Sequence, residues 1–137
     1  MNLFAYGTLM DSEIMEDVCG EACRSQRATL LHYVRKRVCG EVYPAIAAQP
    51  GGAVAGVVYF DLSSAAMSRL DRFEGDLYQR EAAVVICDHG ESIDTHTYVI
   101  STGCVHKLSD DDWSYEDFMA KHKQLFQNGY CGYAELE

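Results

Sequence analysis

At 137 residues, with 48% hydrophobic and 23% charged residues and only two prolines, the chain has the makeup of one globular domain spanning 1–137 rather than of a disordered, collagen-like or low-complexity protein. A net charge of −10, from 21 acids against 11 bases, opposes binding to phosphate backbones and argues against a nucleic-acid partner. No window approaches eighteen consecutive apolar residues and the opening "MNLFAYGTLM" lacks a basic leader, so the expectation is no membrane partner and a cytoplasmic location.

In chain order, "NLFAY" at 2–6 is apolar enough for a short buried strand, which "GT" then breaks. Asp11 or Ser12 can cap a helix carrying Ile14, Met15 and Val18, with Gly20 as its stop. The stretch "ATLLHYVRKRVCGEV" at 28–42 reads as extended. Pro44 biases Tyr43 away from helix, "PGGA" reads as a turn, and "VAGVVYFDL" at 54–62 as a strand in which Gly56 marks a bulge or a close backbone approach.

Ser63 or Ser64 caps the next helix, whose apolar face is Ala66, Met67, Leu70 and Phe73 and whose stop is Gly75. "EAAVVIC" and "DTHTYVI" flank "DHGES" as a hairpin. In "DDDWSYEDFMAKHKQLFQ" the acids precede the lysines, as a helix dipole favours, with Trp113, Phe118, His122, Leu125 and Phe126 facing inward. Strands adjacent in sequence, mixed with helices, predict an α+β fold: a small, mainly antiparallel, partly closed β-barrel with surrounding helices.

The cysteines (19, 23, 39, 87, 104 and 131) sit partly in apolar runs such as "AAVVICD" and read as reduced thiols. Neither Cys19 and Cys23 nor the scattered histidines complete a metal set or a triad, and Ser63 and Ser64 lack a nucleophile elbow, so no metal or cofactor is expected. Arg24, Arg27, Arg35, Lys36 and Arg37 fall in an acid-free stretch from 24 to 40, either a solvated strand face or a docking site for an acidic partner.

Two segments carry chemistry. "LDRFEGDLYQR" at 70–80 places Asp71 and Glu74 in the last turn of a helix, where partial negative charge disfavours carboxylates. Phe73, Leu77 and Tyr78 surround Glu74 with apolar and aromatic groups, and desolvation there raises a carboxyl pKa toward neutrality, the range suited to acid and base work in one cycle. In "YGTLM" at 6–10, Gly7 lets the backbone N–H groups of residues 7–9 converge as a nest for a carboxylate or a developing oxyanion.

"LFAYGTLM", "YPAI", "GVVYFDL" and "LDRFEGDLYQR", in this order and at these separations, resemble the γ-glutamylcyclotransferase-like superfamily, and within it the γ-glutamylamine cyclotransferase branch. The resemblance spans residues 3 to about 86, and "DWSYEDF" is similar to a helix start in that branch; nothing else after residue 100 carries over. It implies an enzyme in which Tyr6, Gly7, Thr8 and Leu9 hold the γ-glutamyl or 5-oxoproline moiety and Glu74 is the catalytic acid/base. It implies as partner a small-molecule γ-glutamyl amide, whose α-amine attacks its own γ-carbonyl and expels an amine without any protein nucleophile. Beside it, Tyr43 and Tyr78 either line the cavity and contact substrate or are half-buried core tyrosines. Arg80 shares a strand face with Tyr78 and pairs with an acid or with substrate. The rival reading is a non-catalytic module sensing a γ-glutamyl or 5-oxoproline-like metabolite; leaving amine and oligomeric state are left open.

Overall fold

The computed structural model of the chain describes residues 1–121 and Lys123. Strands β1 (Leu3–Ala5), β2 (Ser25–Arg37), β3 (Pro44–Tyr59), β4 (Tyr78–Cys87) and β5 (Ser92–Ile100) form a closed barrel in the order β1-β3-β2-β4-β5. Every pairing is antiparallel except that of β1 with β5, a parallel contact through Leu3 and His96 that closes the ring. Helices α1 (Ser12–Cys19) and α2 (Ser64–Glu74) pack together on one side, and α3 (Tyr115–Lys121) follows a 3-10 stretch over Thr102–Lys107. No helix among the described residues is long and apolar enough to cross a membrane.

The two-residue period of β1 explains where the core lies. Phe4 and Tyr6 point into the barrel with Leu30, Ile46, Val58 and Val85, while Leu3 and Ala5 face the layer built by Ile14, Val18, Met67, Leu70 and Phe118. Both faces of the strand are therefore buried, as its unbroken apolar run requires. Gly56 lies where β1 and β3 pack closest: a Cβ there would sit 2.4 Å from the Ala5 carbonyl oxygen and 2.7 Å from the Phe4 ring, so close backbone approach is its role.

Local cap chemistry sets the helices. The Asp11 carboxylate accepts from the Ile14 amide at 3.0 Å to start α1, and Gly20, at φ 81°, ends it. Ser63 accepts from the Ala66 amide at 3.1 Å to start α2, and Gly75, at φ 69°, ends it.

Three expectations need correction. The "PGGA" stretch does not separate two strands: β3 runs through it, and Gln49–Gly52 bulge out opposite the single residue His32, because pairing with β2 resumes on both sides. Extended structure after Ala28 stops at Arg37, where Val38 turns back by donating to the Tyr43 carbonyl at 3.0 Å and accepting from the Glu41 amide at 3.0 Å. The aspartates at 110–112 precede their helix: α3 begins at Tyr115, behind a Ser114 cap that accepts from the Asp117 amide at 3.2 Å, and Asp112 instead pairs with Lys36 at 2.6 Å, while Glu116 and Asp117 in the first turn and Lys121 in the last keep the order the dipole favours. Trp113 and Phe118 are buried as expected; His122, Leu125 and Phe126 lie outside the described residues.

The basic run is divided among several environments. Arg24 lies over Phe60 and pairs with Asp61, Lys36 pairs with Asp112, Arg37 donates to the Glu41 carbonyl, Arg35 turns inward and Arg27 stays exposed. Cys19, Cys23, Cys39, Cys87 and Cys104 are free thiols; Cys131 lies outside the described residues.

Candidate active site

The chain leaves the barrel at Gly7, and its next residues form a 3-10 turn over Thr8–Met10. What requires glycine at position 7 is space rather than a left-handed backbone: φ is −126°, and a Cβ would meet Pro44 Cγ at 2.8 Å. The turn is pinned through its carbonyls. Arg35 Nη1 donates to the Tyr6 carbonyl at 2.7 Å and the Tyr59 hydroxyl donates to that of Leu9 at 2.7 Å, while Gly7 and Thr8 accept from Met10 and Asp11. The amides of Gly7, Thr8 and Leu9 donate to no acceptor among the described residues. Uncommitted backbone donors on a clamped turn are groups that an anion can accept from.

That turn forms one wall of a cavity of about 450 Å³. Tyr6 and Tyr98 close its floor, Tyr43 comes from the β2–β3 connection and Pro44 from the first position of β3, and Phe73, Glu74, Leu77 and Tyr78 come from the end of α2, the 3-10 turn after it and the start of β4. Glu41 and Arg72 stand exposed at its mouth. Glu74 is the last residue of α2 and half-buried against this aromatic lining. Burial pushes its carboxyl up, and the nearby charge of Asp71 pushes further, to about 8. The acid at a helix end thus holds its proton around neutral pH for the reason its sequence neighbourhood implies, with desolvation the larger cause.

The expected site residues separate into two groups. Tyr6, Gly7, Thr8, Leu9, Tyr43, Glu74 and Tyr78 all line the one cavity. Two of the tyrosines already commit their protons to the frame, Tyr78 donating to the Pro44 carbonyl at 2.6 Å and Tyr6 to that of Tyr98. Arg80 does not line it: the guanidinium lies behind the wall, with Nη1 3.5 Å from Asp71 Oδ2. Alternation along β4 does put Tyr78 and Arg80 on one face, but the barrel wall curves between them and the acid of α2 captures the cation.

Sequence reasoning passed over three contributors. Tyr98 supplies floor and also donates to Asp71 Oδ1 at 2.7 Å; its signal was the hairpin register, which sets it directly opposite Arg80. Arg35 was read within a basic run, yet it holds the Tyr6 carbonyl and stacks over Trp113. Trp113 in turn donates to the Val42 carbonyl at 2.8 Å and so fixes the cavity mouth.

The chain is thus a small closed five-stranded barrel whose cavity is lined by both Glu74 and the glycine turn. The family model described as gamma-glutamyl cyclotransferase, AIG2-like, matches residues 3–115. The chain belongs to that family. It is 31% identical over 135 residues to AIG2-like protein D of Arabidopsis thaliana, covering 94% of this chain and 83% of that one. A solution structure of another Arabidopsis thaliana protein superposes with a TM-score of 0.73 at 26% identity, over 93% of this chain and 78% of that one. A gamma-glutamyl cyclotransferase structure shares the fold, with a TM-score of 0.65 at 21% identity over 73% of this chain and 66% of the other.

Proposed function

We propose that the protein is a γ-glutamylamine cyclotransferase-type enzyme that releases 5-oxoproline and a free amine from a γ-glutamyl amide. The observation that carries this reading is the sharing of one cavity by Glu74 and the uncommitted amides of residues 7–9. Family membership supports the cyclotransferase chemistry; the substrate half recognised here is the glutamyl group.

The glutamyl chain lies with an anionic oxygen, either its carboxylate or the γ-carbonyl oxygen as it gains charge, on the amides of Gly7, Thr8 and Leu9. Its α-nitrogen faces Glu74. The α-ammonium stands beside a free carboxylate and is a weak acid, and a carboxyl pushed up to about 8 narrows the gap for proton exchange with it far below what an ordinary glutamate would face. In a cavity that disfavours charge, the ion pair relaxes to neutral amine and neutral acid. The amine then attacks the γ-carbonyl carbon, a C–N bond forms within the substrate, and the bond to the departing nitrogen breaks. Glu74 relays the two protons lost by the attacking nitrogen to the leaving one, which departs as an ammonium, and the carboxylate is regenerated. Apart from the protons that Glu74 carries, every bond made and broken lies within the substrate and no electron is gained or lost, so the cycle as proposed calls for no cofactor. Holding the chain folded for ring closure contributes about 7–11 kcal/mol when orientation is good.

The test is to incubate the protein and its Glu74→Gln variant with a panel of γ-glutamyl amines, γ-glutamyl-ε-lysine included, and follow 5-oxoproline. The amide variant keeps the shape and loses the proton, and turnover should fall by about 10²–10⁴-fold. Equal rates in both proteins overturn the assignment of Glu74. Saturable binding of 5-oxoproline without turnover of any amide would identify a metabolite-sensing module instead.

A further inference from the structure

Behind the cavity wall lies a side-chain chain that the reaction as described does not use. Asp71 precedes Glu74 by three residues on α2, so the two carboxyls share a helix face. Asp71 Oδ1 accepts from the Tyr98 hydroxyl at 2.7 Å, and Oδ2 stands 3.5 Å from Arg80 Nη1. The Arg80 nitrogen is buried and makes no hydrogen bond among the described residues, so it meets Asp71 as a charge alone. Tyr98 and Arg80 are cross-strand partners on β5 and β4, which places both clamps on one carboxylate by sheet register.

We propose that Asp71, clamped between the Tyr98 hydroxyl and the Arg80 guanidinium, is a positioning residue that governs when Glu74 gives up its proton. Other groups that face Glu74 are phenols: Tyr6 from β1, Tyr43 from the β2–β3 connection, Tyr78 from β4 and Tyr98 from β5. Burial raises all four, so they stay neutral while Glu74 titrates. Glu41 and Arg72 carry charge at the solvent-exposed mouth, where water screens them. Asp71 is partly exposed too, but the Tyr98 bond holds it on the Glu74 face of α2, which makes it the fixed charge with leverage over the acid, and Arg80 the counter-charge that moderates it. The chain Arg80–Asp71–Glu74 runs from behind the wall to the cavity, so the sheet holds an electrostatic setting that substrate never touches. The inference rests on Glu74 being the acid/base of the proposed reaction.

The test follows the Glu74 carboxyl carbon by NMR titration of the full chain, assigned with Glu74→Gln, and the pH dependence of kcat/KM where turnover is found. Wild type should show a midpoint near 8. Asp71→Asn keeps the size and the Tyr98 bond but removes the charge, and the midpoint and the rising activity limb should both move down by about 0.5–1 pH unit. Arg80→Gln strips the counter-charge from Asp71 and should move both up by about 0.5 pH unit, while Asp71→Glu should keep the midpoint high. A purely structural clamp predicts lost activity with no displacement of opposite sign. Midpoints unchanged in both charge variants, or moved the wrong way, overturn the proposal; if Asp71→Asn fails to fold, the sign for Arg80→Gln decides. Unchanged midpoints with normal turnover defeat the role of Asp71 alone, whereas displaced midpoints without turnover of any amide defeat the cyclotransferase reading alone.

Discussion

Glu74 works against the stability of the fold that holds it. The folded carboxyl keeps its proton to about 8, whereas in the unfolded chain it ionises near the ordinary 4.5. Between those values the folded state binds more protons than the unfolded one, so stability falls as pH rises. The contribution is whole below pH 4.5 and lost on the way to pH 8. Glu74→Gln, neutral throughout, should therefore melt higher than wild type at pH 8.5 by about 2–4 kcal/mol and indistinguishably from it at pH 4. Thermal unfolding followed by circular dichroism at the two pH values checks this, and an equal gain at both would mean that packing, not charge, is responsible. The desolvation that produces this cost was readable from "FEGDLY", because the aromatic neighbours of Glu74 are adjacent in sequence. The second cause was readable too, since Asp71 lies on the same helical face. Its restraint by Arg80 was not, for that requires β4 to curl round the end of α2.

At the scale of elements, the glycines divide by mechanism. At Gly56 a methyl group would press into the Ala5 carbonyl and the Phe4 ring, so Gly56→Ala should destabilise by about 2–3 kcal/mol in urea titration. At Gly75 the space is open, but φ 69° with ψ −159° is backbone that essentially only glycine adopts, so Gly75→Ala should cost about 1–3 kcal/mol through strain alone. Unchanged stability in either variant would reverse this account. The same distinction explains what the sequence disclosed. Helices α1 and α2 were legible because Asp11, Ser63, Gly20 and Gly75 act within a few residues of themselves. The course of β3 through "PGGA" was not, since a local turn signal there is overridden by partner residues on β2. Gly56 lies between: its presence in a strand announced a close approach, and only the fold says to what.

For the molecule as a whole, Arg35 joins parts that no local pattern connects. Its guanidinium bonds the Tyr6 carbonyl, reaches the Ala55 carbonyl at 3.0 Å and covers Trp113, so it links the glycine turn, β3 and the start of the third helix. Arg35→Met should release the turn, raising KM for the proposed γ-glutamyl amide by about tenfold with a smaller change in kcat, and Arg35→Lys should not restore it, because an ammonium has no planar face to lie over Trp113 while its nitrogen bonds the two carbonyls. Steady-state kinetics on the two variants decide the point: full rescue by lysine would mean that charge alone matters. A basic residue on a strand reads as solvated until the barrel closes over it.

The seam between the first and fifth strands has a further consequence for the growing polypeptide. Residue 3 finds its mate at residue 96, so the ring cannot shut while the ribosome still holds the second half of the hairpin. The glycine turn and the acid emerge early, yet the tyrosine that floors their chamber comes last among them. The cavity is therefore completed in a single late event, and a nascent chain halted before that point holds the glycine turn and Glu74 without a vessel to assemble them in.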